Sequence, residues 1–555
     1  MVTDKELAEL IFPEVKETIE DLEKRYPLRN LPEGAEVTRF APSPTGFLHT
    51  GSLFTSMICH KVASQTNGVF YVRLEDTDTK REIQGSGEEL LKQLRLFNVI
   101  PSEGYLGDHE VGQYGPYIQS QRAHIYRVVI KSLLERGLAY PCFCSQEELE
   151  EIRKEQEKVK DNPGYYGKYA RCRYLSNDVR KERILKGDPY VIRFKSSGNH
   201  NNKVQVSDLV HGDFEIAEND LYIVILKSDG LPTYHFAHAC DDHFMRTTTV
   251  IRGEEWIASL PIHVELFKTL GWKAPKYAHL PVIMKIGENG NKRKLSKRLD
   301  NEAAVSFFLK DGYPTEALIM YLMTIANSNF EEWILEHKFE HMEDFVFSFD
   351  KMSLDGALFD MGKLNFFARE ILGKKTKEEI LESALEYSQK YNKPLFDLIN
   401  RDHNKFMEIM NIEREKENPR KDYEKFGNLY EIISFFYSDL YDASVKENPL
   451  VFNEKFSKED IKEVLENISN KLNINQEEQD WFSNMKAIAE ELRFAPNGKT
   501  FKQNPEAYKG TVGDVAEMMR IALTTRKNSP NLYYVMKILG KQECDRRFHQ
   551  VVENL

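Results

Sequence analysis

Glu36-Val-Thr-Arg-Phe-Ala-Pro-Ser-Pro-Thr-Gly-Phe-Leu-His-Thr-Gly-Ser52 is the stretch on which the fold turns. Residues 36–40 (EVTRF) are strand-like. Two prolines and a glycine in 41–46 (APSPTG) bar a helix and make a turn-rich loop. From Gly51 to about Ser64 the apolar spacing is helical and stops before Asn67-Gly68. Residues 69–74 (VFYVRL) read as a second strand. Strand, loop, helix and strand in this order make a βαβ unit. A Rossmann-type parallel sheet is expected, with its site at the strand C-termini.

Working outward, a second α/β stretch runs from Leu221 to about Val282, with strands YIVIL and TTTVI and a helix around Pro261–Leu270. Residues 116–220 between the two read as an inserted α+β domain, a charged helix with short strands (YVIRFK, KVQVSDL). From about residue 300 onward the patterns are mostly helical, without internal repeats. Leu7, Leu10, Ile11, Val15 and Ile19 make residues 1–33 an acidic helical extension packed on the domain behind it. The expected chain is multidomain α/β plus all-α. Its parts are an extension (1–33), a catalytic domain (34–115 and 221–290), an insertion (116–220), a signature-loop domain (291–370) and a helical region (371–555).

Composition narrows the class. A chain of 555 residues is too long for one core. With 41% hydrophobic and 30% charged residues it reads as soluble, and no apolar run reaches the ~18 residues a membrane span needs. The N-terminus lacks the basic and apolar regions of a signal peptide. Six cysteines in so long a chain point to a reducing cytoplasm rather than a disulfide framework. A net charge of −12 excludes indiscriminate polyanion binding, so any nucleic acid must be held by local basic patches.

Two motifs carry chemistry. In Phe47-Leu-His-Thr-Gly-Ser52 the helix N-terminus offers unpaired N–H groups to phosphate, and Gly51 lets a flat ring approach the backbone. His49 can hydrogen-bond phosphate oxygens as charge develops. Lys294-Leu-Ser-Lys-Arg298 follows the Gly/Asn-rich residues 287–291, so it is expected to be mobile and exposed. Lys292, Arg293, Lys294, Lys297 and Arg298 together would meet a triphosphate; on its own the motif also reads as a solvated basic loop or an RNA-backbone patch.

As an ordered pair these motifs resemble the two signatures of class I aminoacyl-tRNA synthetases. Residues 39–46 (RFAPSPTG), 73–78 (RLEDTD), 232–237 (PTYHFA) with Asp241-Asp-His243, and 250–256 (VIRGEEW) are similar to glutamyl-tRNA synthetases of the bacterial type. The resemblance covers nearly all of the chain after residue 34. It implies ATP-dependent formation of glutamyl-adenylate, then transfer to the 3′-terminal adenosine of tRNA(Glu), with Mg2+ accompanying ATP. Positioning and charge neutralisation then supply the catalysis.

The residue roles follow from the same resemblance. Arg39 and Arg252 clamp the γ-carboxylate of L-glutamate, helped by Tyr234, as an arginine fork does best. Glu75 takes the α-ammonium, and Ala41 and Ser43 line the pocket. His49, Gly51, Ser52, Lys294 and Lys297 are the catalytic set. Glu255, Trp256 and Leu295 join His49, Gly51 and Lys297 around ATP. His238 stands where family members usually carry asparagine, and its charge is expected to vary near neutral pH.

Cys142, Cys144 and Cys172 resemble the zinc site some relatives carry in the acceptor-stem domain, here 116–220. Tyr166, Tyr169 and Tyr174 are candidates for the fourth ligand; three reduced thiols are the alternative. Ser145-Gln-Glu-Glu148 has capping-box form and starts a charged helix. Met518–Thr524 and Tyr534–Gly540 resemble the end of a helical anticodon-binding region. There Arg520, Arg526, Lys527, Lys537, Lys541, Arg546 and Arg547 make the chain locally basic. A cytoplasmic monomer without membrane contact is implied. Charging of tRNA(Gln) as well stays open. A glutaminyl-tRNA synthetase is disfavoured, because the loop reads APSPTG and an amide calls for no pair of arginines.

Overall fold

The computed structural model describes residues 1–555 apart from Thr45, 78–82 and Lys297. Lys297 of the basic motif and Asp78 of RLEDTD thus lie outside the described residues. Two compact units make up the chain: Met1–Phe307 with Ile319–Asp360, and Phe308–Leu318 with Met361–Leu555.

The first unit opens with α1 (Asp4–Ile11) and α2 (Ile19–Arg25). The single amphipathic extension expected for 1–33 is therefore two helices. Pro13 cannot donate to a continuing helix and disfavours helical backbone before it. Thr3 with Glu6 and Thr18 with Asp21 form capping boxes that start each piece. Ala8, Phe12, Val15 and Leu22 are buried in one core with Ile125, Val129, Leu133 and Phe244.

β1 (Val37–Phe40), α3 (Thr50–Gln65) and β2 (Val69–Val72) form the expected βαβ unit, paired in parallel with Arg39 opposite Tyr71. All of β1 is buried, as a strand covered on both faces must be. Gly68 turns α3 into β2 where a Cβ would lie 1.9 Å from the Glu36 carbonyl oxygen, so no side chain fits. After α4 (Ser86–Leu96), β3 (Glu103–Tyr105) adds in parallel to β2, and β4 (Glu110–Val111) is an antiparallel edge.

Next come α5 (Ala123–Glu135), β5 (Ala139–Cys142), α6 (Gln146–Val159), α7 (Asn177–Lys186) and β6 (Val191–Phe194). They are followed by β7 (Lys203–Asp208), β8 (Gly212–Ala217), β9 (Val224–Leu226) and α8 (Tyr234–Phe244). β10 (Thr249–Gly253), α9 (Leu260–Leu270) and β11 (Lys276–Leu280) complete the sheet, and β12 (Met284–Ile286) and β13 (Lys292–Lys294) form a hairpin. β10 and β11 run parallel, and β10 adjoins β1 through the Thr248 N–H donating to the Val37 carbonyl at 3.0 Å.

The expected boundary at 220/221 cuts across the sheets. β9, assigned with the catalytic part, pairs with β6 in the antiparallel sheet β5-β6-β9. β7 and β8, assigned to the insertion, extend the β10-β11 sheet instead. Short apolar runs state that a strand exists, not which strand it joins. Likewise the unit division falls at 360/361 and takes 308–318 with the second unit, inside the stretch expected to be one domain (291–370).

The second unit is helical, from Met361–Lys374 to Lys541–Asn554, around two cores. The basic character expected near its end is largely neutralised. Arg547 is fully buried, donating to Glu543 and to the Phe435 and Leu523 carbonyls. Arg546 binds Glu543 and Asp442, Lys541 pairs with Asp545, and Arg526 lies near Glu431. Arg520 is half-buried against Ser529. Lys527 and Lys537 remain exposed. Charges read along the chain gave no sight of these acidic partners.

Candidate active site

The C-terminal ends of β1 and β10 and the N-terminus of α3 open onto one cavity of about 800 Å³. Arg39, Ala41, Ser43, His49, Gly51, Ser52, Glu75, Tyr234, Arg252, Glu255, Trp256, Lys294 and Leu295 all line it. Residues spread over the whole of the first unit's sequence are thus gathered as the motif reading expects. His238 is the exception. It does not line the cavity but is fully buried behind Tyr234, with ring centroids 5.9 Å apart.

At α3, His49 is the N-cap residue and its side chain makes no capping hydrogen bond. Its Nδ1 faces the Ala303 carbonyl at 3.3 Å. Among the described residues nothing accepts from the N–H groups of Thr50, Gly51 or Ser52, which leaves the positive helix end available. A Cβ at Gly51 would meet nothing within 4 Å, so the protein's own packing does not require glycine there. A ligand lying on the backbone would.

The second basic motif starts at the end of strand β13, and Leu295 and Ser296 after it have no regular structure. Lys292–Lys294 pair with β12, and the Leu295 N–H donates to the Ile283 carbonyl at 2.9 Å. Arg293 is engaged by Asp300 at 2.6 and 2.7 Å, so it is not part of a free basic cluster. Asp300 also accepts the Ser296 N–H at 2.8 Å, and Arg293 holds its carboxyl far below the usual range.

Beneath the cavity lies a buried charge network. Asp241 and Asp242, adjacent on α8, are both buried. Asp242 accepts from Arg39 Nε at 3.2 Å and Arg73 Nη1 at 2.8 Å. Asp241 accepts from Arg122 at 2.6 Å, Gln119 at 2.9 Å and the Tyr126 hydroxyl at 2.9 Å. Burial alone would raise the Asp242 pKa, but Arg39 and Arg73 more than offset it and hold the group well below its ordinary range. Arg73 also donates to Glu75 at 2.9 Å; burial still pushes the Glu75 carboxyl up, so a further cation beside it would be welcome.

His238 serves this network. Its Nδ1 is 2.9 Å from Asp242, its Nε2 is 3.3 Å from the Tyr277 hydroxyl, and burial depresses its pKa to about 4. The expectation of a charge that varies near neutral pH is therefore corrected: the ring is neutral there.

Residues 36–366 match the family model of the catalytic domain of class I tRNA synthetases (E and Q), and 418–552 match an anticodon binding domain. The chain is 45% identical over 543 residues to a glutamate–tRNA ligase of Clostridium perfringens, covering 98% of each. It is 43% identical over 549 residues to one of Acetivibrio thermocellus, covering 99% of this chain and 100% of the other. The chain belongs to the glutamate–tRNA ligase family. A crystal structure of a glutamate–tRNA ligase from Elizabethkingia meningosepticum in complex with its amino acid superposes with a TM-score of 0.74 at 29% identity, covering 94% of this chain and 99% of that one. The Rossmann-type parallel sheet and helical C-terminal region are those of this ligase family.

The second cluster of this ligase lies in the sheet β5-β6-β9 region. The sulfurs of Cys142, Cys144 and Cys172 lie within 4.8 Å of one another. The tyrosine that reaches them is Tyr165, not Tyr166, Tyr169 or Tyr174. Its hydroxyl is 3.4 Å from Cys142 Sγ and 3.3 Å from Cys144 Sγ, and it accepts the Cys172 N–H at 3.1 Å. The Tyr166 hydroxyl donates instead to the Asn162 carbonyl, Tyr169 to Asp161, and Tyr174 to the Gly167 carbonyl. Three converging thiols with one oxygen beside them fit a tetrahedral zinc ion.

Motif reading gave no role to Arg73, Asp241, Asp242 or Asp300, although the first three sit within quoted motifs. Thr77 also lines the cavity.

Proposed function

We propose that this chain ligates L-glutamate to tRNA(Glu) in two steps, ATP-dependent formation of glutamyl-adenylate and transfer to the 3′-terminal adenosine. One observation carries the substrate assignment. Arg252 faces the cavity with its polar contacts limited to Tyr234, His263, His279 and the Trp256 carbonyl, and no carboxylate among the described residues reaches it. A buried cation without a counter-ion favours an anionic ligand, and a carboxylate supplies one where an amide does not. Arg39 joins Arg252 on the γ-carboxylate, with Tyr234 beside them. Glu75, whose carboxyl is raised by burial, receives the α-ammonium.

In this reading ATP, with its Mg2+, lies along the free N–H groups of α3. His49, Gly51 and Ser52 meet it on one side and Lys294, Leu295, Glu255 and Trp256 on the other. Lys297 joins Lys294 in neutralising the charge that builds on the α-phosphate during adenylate formation. No covalent nucleophile is needed. Cys142, Cys144 and Cys172, with Tyr165, would hold a zinc ion that ties β5 to the segment after α6. The ligase acts as a monomer in the cytoplasm.

Charging of purified tRNA(Glu) and tRNA(Gln) transcripts with labelled glutamate and, in parallel, with labelled glutamine tests the assignment. Glutamylation of tRNA(Glu) is expected. Glutamylation of both would make the enzyme non-discriminating, and glutaminylation alone would overturn the reading.

A further inference from the structure

Four buried arginines surround the cavity floor, and one is held differently. Arg39, Arg73 and Arg122 each touch Asp241 or Asp242. Arg252 instead rests on imidazoles. Its Nε donates to His279 Nε2 at 3.0 Å, and its two terminal nitrogens lie 3.4 and 3.3 Å from His263 Nδ1.

Both rings are prepared for this task. Asp208 accepts from His279 Nδ1 at 2.7 Å and from the N–H groups of Val210, His211 and His279. With its proton fixed on Nδ1, His279 turns the Nε2 lone pair to Arg252. His263 is fully buried on α9, with His235 Nδ1 3.1 Å from its Nε2. The charge of Asp208 reaches Arg252 only across the width of an imidazole, not in contact.

We propose that His263 and His279, with Asp208 behind the latter, are positioning and specificity-determining residues that fix the Arg252 guanidinium without neutralising it. A carboxylate in their place would orient Arg252 equally well, as Asp242 does for Arg39. It would also supply the counter-charge that the substrate's own carboxylate must otherwise bring. Neutral acceptors keep that position for glutamate, and the discrimination against glutamine follows from the same uncompensated charge. The inference rests on the reading of Arg252 as a γ-carboxylate ligand.

The test uses the full-length enzyme and pyrophosphate exchange with tRNA present. His279→Leu removes the acceptor and His279→Gln restores one. The leucine variant should raise the KM for glutamate roughly tenfold or more with the KM for ATP nearly unchanged, and the glutamine variant should recover most of the loss. His263→Asp and His263→Asn are nearly isosteric and differ in charge, so they decide the matter should the leucine variant not fold. Aspartate should raise the glutamate KM at least about tenfold above asparagine. Equal values for that pair, or parallel changes in both KM values for His279→Leu, would overturn the proposal. Arg252→Gln serves as the control. If it leaves glutamate binding normal, the underlying reading fails. If it impairs glutamate binding while the imidazole variants do not, only this inference fails.

Discussion

His238 Nδ1 lies 2.9 Å from Asp242 Oδ2, and both side chains are fully buried. The imidazole therefore acts on Asp242 and through it on Arg73, and its Nδ1 also lies 3.5 Å from Arg39 Nη2.

This pairing has a pH signature. Burial lowers the His238 pKa from 6.5 to about 4. Between those values the unfolded chain binds the proton and the folded chain does not, so the stability contribution is complete above pH 6.5. It is lost as pH falls toward 4, by roughly 3 kcal/mol at most. His238→Asn should flatten the stability curve over that window. Chemical denaturation at several pH values reads it out, and an unchanged slope would remove His238 as its source.

Asp242→Asn leaves Arg39 and Arg73 buried and short of their shared counter-ion. Removing one partner of a buried ionic group costs on the order of 3–5 kcal/mol. Glutamate binding should weaken with it, because Arg39 loses the contact that aims it. A stability loss within about 1 kcal/mol would show that Asp241 and Glu75 suffice to neutralise the network.

How far the site could be read from residues alone depends on the kind of signal. The βαβ unit was legible because Ala41–Gly46 cannot be helical and the runs on either side have distinct periods. Arg39 and Arg252 were legible because both stand at strand ends inside dense motifs. His263 and His279 were not: each is a lone histidine in an apolar helix or strand, where a satisfied core residue is the ordinary reading. Tyr165 was missed for a geometric reason, since four tyrosines near Cys172 compete and chain order does not say which hydroxyl turns inward. The membership of β9 in the antiparallel sheet is a pairing fact, absent from any local pattern.

The basic motif gives a kinetic prediction. Lys294 is exposed at the cavity edge, so Lys294→Ala should slow adenylate formation far more than it weakens ATP binding, because the charge acts on the transition state. Asp300→Asn should reproduce part of the effect without touching ATP, since Asp300 binds Arg293 and the Ser296 N–H and so shapes the motif. Pyrophosphate exchange with tRNA present separates the two effects. Equal losses in rate and ATP affinity for Lys294→Ala would make it a ground-state contact.

The metal prediction separates ligand from neighbour. If Cys142, Cys144 and Cys172 hold zinc, elemental analysis should give about one ion per chain, and the triple Cys→Ser variant should give none. Zinc ligation contributes folding free energy locally, so hydrogen exchange in that variant should rise between 140 and 175. β1, α3 and β2 pair and pack without these thiols, so ATP binding should survive while charging falls. Tyr165→Phe then assigns the fourth position. The phenylalanine keeps the ring and removes only the hydroxyl that lies 3.3 Å from Cys144 Sγ. If that oxygen is a ligand, the variant should lose zinc to a chelator markedly faster than the wild type, with its global stability little changed. Equal rates would leave Tyr165 as a hydrogen-bonding neighbour of Cys142 and Cys144 and not a ligand. Metal-free wild-type protein with normal charging activity would reduce the cluster to three ordinary thiols.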